Sequence, residues 1–426
     1  MLYYARGSVS DSISAGEVRT ALYQVFETLG PRKRVLAIPP DFTRLNSFAG
    51  PVTEMAYDYF GDALTDILPA LGTHSPMTGE QIRTMFGHTP PDRFRVHDWR
   101  NDVVTVGTVP ASFVEKVSEG KVHYDWPAQV NKLLLDRSFD LILSVGQVVP
   151  HEVIGMANYT KNIFVGVGGS GGINKSHFIG ASYGMERIMG RPGGPVREIL
   201  EYAREHFIAD LPIVYVLTVM AKNPLSGKME MKGLFVGDDS ECFRKACELS
   251  LKTNFIMVDK PMDKCIVYLD PEEFKSTWLG NKAIYRTRMA LADGASLIIL
   301  APGLKEFGED PGIDALIRKY GYAGTDRILK YTADNKDLQD NLSAPAHLIH
   351  GSSEGRFSIT YCPGPGMSRE EIEGVGFEYC SFDLMAARYH IDKLKDGWNA
   401  MPDGETVYYI SNPALGLWAH PDRFKD

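Results

Sequence analysis

Cysteine is scarce. Five residues in 426 (Cys242, Cys247, Cys265, Cys362 and Cys380) are odd in number and form no CxxC pair. That excludes a disulfide framework and a thiolate zinc site, and the five read as buried thiols in a reducing compartment. Basic charge is also short: 45 Lys+Arg stand against 54 Asp+Glu, a net charge of −9 spread along the chain. No basic footprint is left for nucleic acid or for an anionic membrane surface. No apolar run approaches the ~20 residues that a bilayer span requires. The opening MLYYARGSVSDSISAG lacks the basic-then-apolar order of a signal peptide. The expectation is a cytoplasmic protein with neither a nucleic-acid nor a membrane partner.

What is present is an ordinary globular composition, 44% hydrophobic and 23% charged, long enough for two or three domains. Short β-rich runs alternate with amphipathic stretches, the pattern of an α/β fold with mostly parallel sheets. Strands are expected at 35–38, 67–71, 141–146 and 213–220, and again at 265–269, 297–300, 347–350 and 407–410. Thr78–Gln81 and Ser368–Glu371 read as capping boxes that open helices. The rhythm restarts near residue 262. We therefore expect two α/β domains with a cleft between them, residues 1–262 and 263–405, with 406–426 packing back on the first.

Polar groups follow the first three strands: Asp41 and Arg44, then His74, then His151. Ligands of open α/β sheets bind beyond the carboxyl ends of strands, so these loops are expected to share a site. The densest segment, residues 151–177, holds two His, two Lys and six Gly. Histidine suits acid/base work or metal ligation, lysine suits covalent attachment, and glycine lets backbone approach a ligand. Within it, Gly166–Gly171 satisfies GxGxxG after a strand-like 162–165, which offers a nicotinamide-dependent 2-hydroxy acid dehydrogenase as the alternative. The acidic residue that fingerprint needs is missing, because Glu186 comes too early and sits in the helical MERIMG. His97 and His123 read as polar loop contacts. His347 and His350 read as a strand end, and His88, His206, His390 and His420 as surface or half-buried residues.

Taken in order, Asp41-Phe42-Thr43-Arg44 (DxTR), Gly72-Thr73-His74 (GTH) and Pro150-His151, with Lys161 ten and His177 twenty-six residues after His151, resemble the nickel-pincer-nucleotide lactate racemase family. Lys282, ahead of the LIIL strand, extends the resemblance through the second domain. The resemblance implies a racemase or epimerase that inverts C2 of a 2-hydroxy acid by reversible hydride transfer. Lys161 would carry the pyridinium nucleotide covalently, with Gly168 and Gly169 against it, and His177 would be the protein ligand of nickel. His74 and His151 would be the acid/base pair, while Asp41, Arg44 and Lys282 would hold the substrate. Enzymes that build the cofactor would be the implied protein partners. Two departures stand out. The family's serine-glycine-glycine run before the lysine is Ala157-Asn158-Tyr159-Thr160 here, which brings Lys175 into consideration, although spacing selects Lys161. The family's glutamine three positions before the second-domain lysine is Leu279. The second departure implies a substrate larger than lactate, such as an aldonic sugar acid. Trp278, Tyr285, Arg286 and Arg288 are expected to line a roomier pocket, with Tyr285 and Arg288 equally readable as helix-surface residues.

Overall fold

The computed structural model describes residues 1–223 and 226–425. The chain forms two compact units: residues 1–179 with 187–254, and residues 180–186 with 255–426. The expected division near 262 thus lies at 254/255, and a short piece ahead of Arg187 belongs with the second unit.

The first unit is built on a six-stranded sheet. Its order is Leu2–Gly7, Met229–Gly237, Ile213–Lys222, Leu141–Gln147, Val35–Ile38 and Leu64–Ile67. The last four strands run parallel, and the two outer ones on the other side are antiparallel. Val35–Ile38 is fully buried, so it reads as a continuous apolar run and not as an alternating one. Helix Ala15–Leu29 covers the sheet with Val18, Leu22, Val25 and Phe26, one stripe at helical spacing. The Thr78 capping box opens helix Gly79–Phe86 as expected. Parallel pairing continues past the strand ends at Pro40 and Ala70, where Leu68 and Ala70 donate to Ala37 O and Pro39 O. The expected strand 67–71 is therefore strand Leu64–Ile67 followed by this looser extension.

The second unit repeats the theme. Its sheet order is Glu378–Tyr379, Ser358–Pro363, Leu291–Ala301, Met262–Tyr268, Thr406–Ile410 and Gly397–Ala400, parallel except at the last edge. Both units are thus α/β with mostly parallel sheets. Residues 406–426 belong to this unit: Thr406–Ile410 pairs with Met262–Tyr268, and Trp418–Ala419 pairs with Ile256–Met257.

Two expected strands are helical. Residues 347–350 end helix Ser343–His350, and 162–165 lie in a π-helical turn, Asn162–Gly166. In both, consecutive residues are buried all round, so no period separates a buried helix from a buried strand. The five cysteines are free, four buried and Cys380 half-buried. Among the described residues no helix is long and apolar enough to cross a membrane.

Candidate active site

Three loops leave the carboxyl edge of the first sheet, where strands Leu64–Ile67, Val35–Ile38 and Leu141–Gln147 lie side by side. In the first loop, Asp41 is buried and caps the turn Phe42–Ser47 by accepting from Thr43 N (3.2 Å) and Thr43 Oγ1 (2.5 Å). Its other oxygen accepts from His74 Nδ1 at 2.7 Å. Burial opposes the charge on Asp41, but the hydrogen bonds from His74 and Thr43 outweigh it and hold the carboxyl below its usual range. His74 itself is 55% exposed. Its loop is tied down by Gly72 N, which donates to Gly166 O (2.8 Å) from a left-handed backbone at φ +56°.

His151 sits in a two-residue ribbon, Pro150–His151 against Gly155–Met156. Gly155 is required there: φ is +78°, and a Cβ would lie 2.1 Å from Arg191 O. Val153 N–H donates to His151 Nδ1 (3.1 Å), so the neutral ring carries its proton on Nε2. Burial pushes His151 well below the ordinary histidine value. Glu152, whose Oε2 lies 3.9 Å from Nδ1, opposes that shift, while Lys161, His177 and Arg44 add to it.

Lys161 follows a turn in which Asn158 and Tyr159 adopt φ +71° and +58° in succession. Left-handed backbone at non-glycine residues costs roughly 1–3 kcal/mol each and persists only where surrounding contacts enforce it. Burial, then the charge of Arg44, lowers the Lys161 ammonium to about 8. His177 lies on helix Ser170–Tyr183, where its Nδ1–H donates to Ile173 O (2.8 Å) and leaves the Nε2 lone pair available. Its value is lowered too, mainly by burial. The mutual electrostatic influence of Asp41, Arg44, His151, Glu152, Lys161 and His177 brings these residues into one cluster of the first unit.

The glycine run is explained chiefly by packing. A Cβ at Gly168 would lie 1.9 Å from Phe164 O, and one at Gly169 2.5 Å from Gln129 Oε1. Gln129 Oε1 in turn accepts from Gly171 N (3.1 Å) and Gly172 N (3.4 Å), which closes the start of the helix. The segment before GxGxxG is the π-helical turn, so the strand–turn–helix context of a dinucleotide loop is missing. His97 is the polar loop contact expected, made between two loops. It is buried, donates from Nε2 to Gly168 O (3.0 Å), and accepts at Nδ1 from Asn131 (3.0 Å).

Lys175 donates to Asp125 O (2.6 Å) with its ammonium 4.9 Å from the Tyr124 ring centroid. Lys282 begins helix Lys282–Thr287 of the second unit, its ammonium 5.5 Å from the Phe274 ring centroid. Trp278 in the same unit packs on His347 at 4.4 Å. Arg288 is no helix-surface residue. It is 3% exposed, pairs with Glu186 (3.0 Å) and donates to Ser352 O. Glu152, Arg197 and the buried hydrogen bonds that His97 makes escaped the sequence reading. Glu152 adjoins His151 in sequence and was within reach of inspection, whereas His97 and Arg197 act across 71 and 37 residues. Among the described residues no group of three or more His, Cys, Asp or Glu is placed to hold a metal. A metal at His177 would draw its other donors from a bound group, and the open Nε2 beside Lys161 fits that demand.

Residues 19–186 match the family model described as the lactate racemase N-terminal domain. Two solved structures are similar over nearly the whole chain. One is a protein from Thermotoga maritima, at 24% identity, covering 96% of this chain and 99% of that one with a TM-score of 0.75. The other is the lactate racemase apoprotein from Thermoanaerobacterium thermosaccharolyticum, at 17% identity, covering 92% and 88% with a TM-score of 0.67. A comparison with curated proteins gave no match. The match over residues 19–186 agrees with the resemblance to the lactate racemase family drawn from the motifs.

Proposed function

We propose that the protein is a 2-hydroxy acid racemase or epimerase of the cytoplasm, dependent on a nickel-pincer nucleotide. The observation that carries this reading is the gathering of two oppositely wired histidines, Asp41–His74 and His151, around the half-buried Lys161. His74 directs its Nδ1 to Asp41, so that in the neutral ring Nε2 is the nitrogen that accepts a hydroxyl proton. His151 is held neutral by its surroundings and presents Nε2–H, which stabilises a keto or alkoxide oxygen on the other side. Arg44 supplies a cationic partner for the substrate carboxylate, the role that the resemblance also implies for Lys282. Lys161 would hold the nucleotide, with its lowered ammonium favouring the neutral, acylatable amine, and His177 would hold nickel. When bound, that group supplies a reversible acceptor for the C2 hydride, which a side chain cannot provide. Leu279 near Lys282 supports a substrate larger than lactate, an aldonic sugar acid being the chemical class. The enzymes that make the nucleotide are the protein partners on this reading.

Intact mass of the chain, produced alongside cofactor-making enzymes, tests it. A nucleotide-sized adduct mapping to Lys161 is expected. An unmodified chain that turns over 2-hydroxy acids with added free NAD would favour the dehydrogenase instead.

A further inference from the structure

The strained turn ahead of Lys161 is held by residues that the proposed chemistry leaves unused. Arg197, on helix Pro195–Phe207, is 4% exposed. It donates from Nη1 to Thr160 Oγ1 (2.6 Å) and from Nη2 to Met156 O (2.8 Å), and both nitrogens reach Asn158 O (3.3 Å). Thr160 Oγ1 donates onward to Glu201 Oε1 (2.9 Å), one turn along the same helix. The fully buried Tyr159 ring stacks on Phe243 (5.0 Å) and packs against Tyr215 (4.3 Å), with the Arg197 guanidinium 4.3 Å from the Phe243 centroid. On the downstream side, Asn162 Nδ2 donates to Ile38 O and Ser144 Oγ (both 3.0 Å), anchoring the next residue to two central strands.

Lys161 is thus bracketed by one anchor on either side. A buried guanidinium is expensive to keep, and here its hydrogen bonds go to Met156, Asn158 and Thr160, at and on either side of the bend at Asn158 and Tyr159 that leads into Lys161. Two consecutive left-handed residues point the following side chain in one direction only while that bend persists. We infer that Arg197, acting through Thr160 and Glu201, is a positioning residue for Lys161, fixing the direction in which its amine leaves the backbone. As a device for loading a cofactor, this rests on the reading of Lys161 as the attachment site.

The test uses the full chain without cofactor. Lysines are acetylated competitively with a trace of acetic anhydride, and the Lys161 rate is read against Lys175 by peptide mass spectrometry. Thr160→Val and Arg197→Lys are expected to keep the wild-type circular dichroism yet change the Lys161:Lys175 ratio by about threefold or more. Thr160→Ser, which retains the hydroxyl, should keep the wild-type ratio. An unchanged ratio in folded T160V and R197K would overturn the inference. The attachment reading is separable: if Lys161→Ala still acquires the nucleotide adduct, that reading fails while the labelling result stands.

Discussion

His74 and His151 leave the same sheet edge from strands flanking Val35–Ile38, yet their rings are held in opposite ways. His74 is more than half exposed and donates to a buried carboxylate, Asp41. His151 is 17% exposed and accepts a backbone N–H from Val153. One ring is held by a charge partner and remains open to solvent. The other is prepared by burial and by the cations around it, which keep it neutral. An enzyme that must handle a hydroxyl on either face of one carbon needs two proton carriers. On the proposed function, these two loops would supply them from a single sheet edge.

The sharpest way to break the comparison is to remove what the two histidines share. Lys161→Ala is expected to abolish turnover of both enantiomers together and to eliminate the nucleotide adduct, as seen by intact mass. Next in size, His74→Ala and His151→Ala should each reduce net inversion by ~10²–10⁴-fold, the usual contribution of a positioned acid or base. Steady-state rates on an enantiomer pair check this.

Asp41→Asn sharpens the contrast further. It should lower the rate of the half-reaction that uses His74 by about tenfold, ~1.4 kcal/mol of barrier, and leave the other nearly unchanged. Equal losses in both directions would show that Asp41 serves the whole site and not one histidine.

The smallest effect concerns pH and stability. His97, His151 and His177 all have values depressed in the folded protein, chiefly by burial. The unfolded chain therefore binds more protons than the folded one below the ordinary histidine value of 6.5. Stability contributed by keeping these rings neutral is present above that value and declines as pH falls beneath it. Denaturant unfolding at pH 7 and pH 5 should show a loss over this window, smaller in His97→Gln than in the parent chain.

Much of this was readable in the chain. Strand Val35–Ile38 falls at the expected residues because a fully buried parallel strand is a continuous apolar run. The Thr78 and Ser368 capping boxes were legible because both partners lie three residues apart. The loops that carry Asp41, His74 and His151 were legible because polar groups follow the strand ends. What stayed hidden depends on long-range contacts. Asn162–Gly166 looked like a strand because Ile163, Phe164 and Val165 are all apolar, and only the anchoring of Asn162 to Ile38 and Ser144 reveals the π-helical turn. The glycines after it looked like a phosphate loop, whereas their missing Cβ atoms make room for Phe164 O and Gln129. Arg197 left no local signal, since its partners are two carbonyls and the Thr160 hydroxyl more than thirty residues upstream.

The central claim is that His74 and His151 serve opposite faces of the substrate carbon. The most direct measurement is a quenched single turnover of the cofactor-loaded His74→Ala and His151→Ala variants with each pure enantiomer of lactate and of a six-carbon aldonate epimer pair, quantifying the 2-keto acid formed. The account predicts that each variant oxidises one stereoisomer and spares the other, with opposite preferences. Two variants that treat both stereoisomers alike would contradict it.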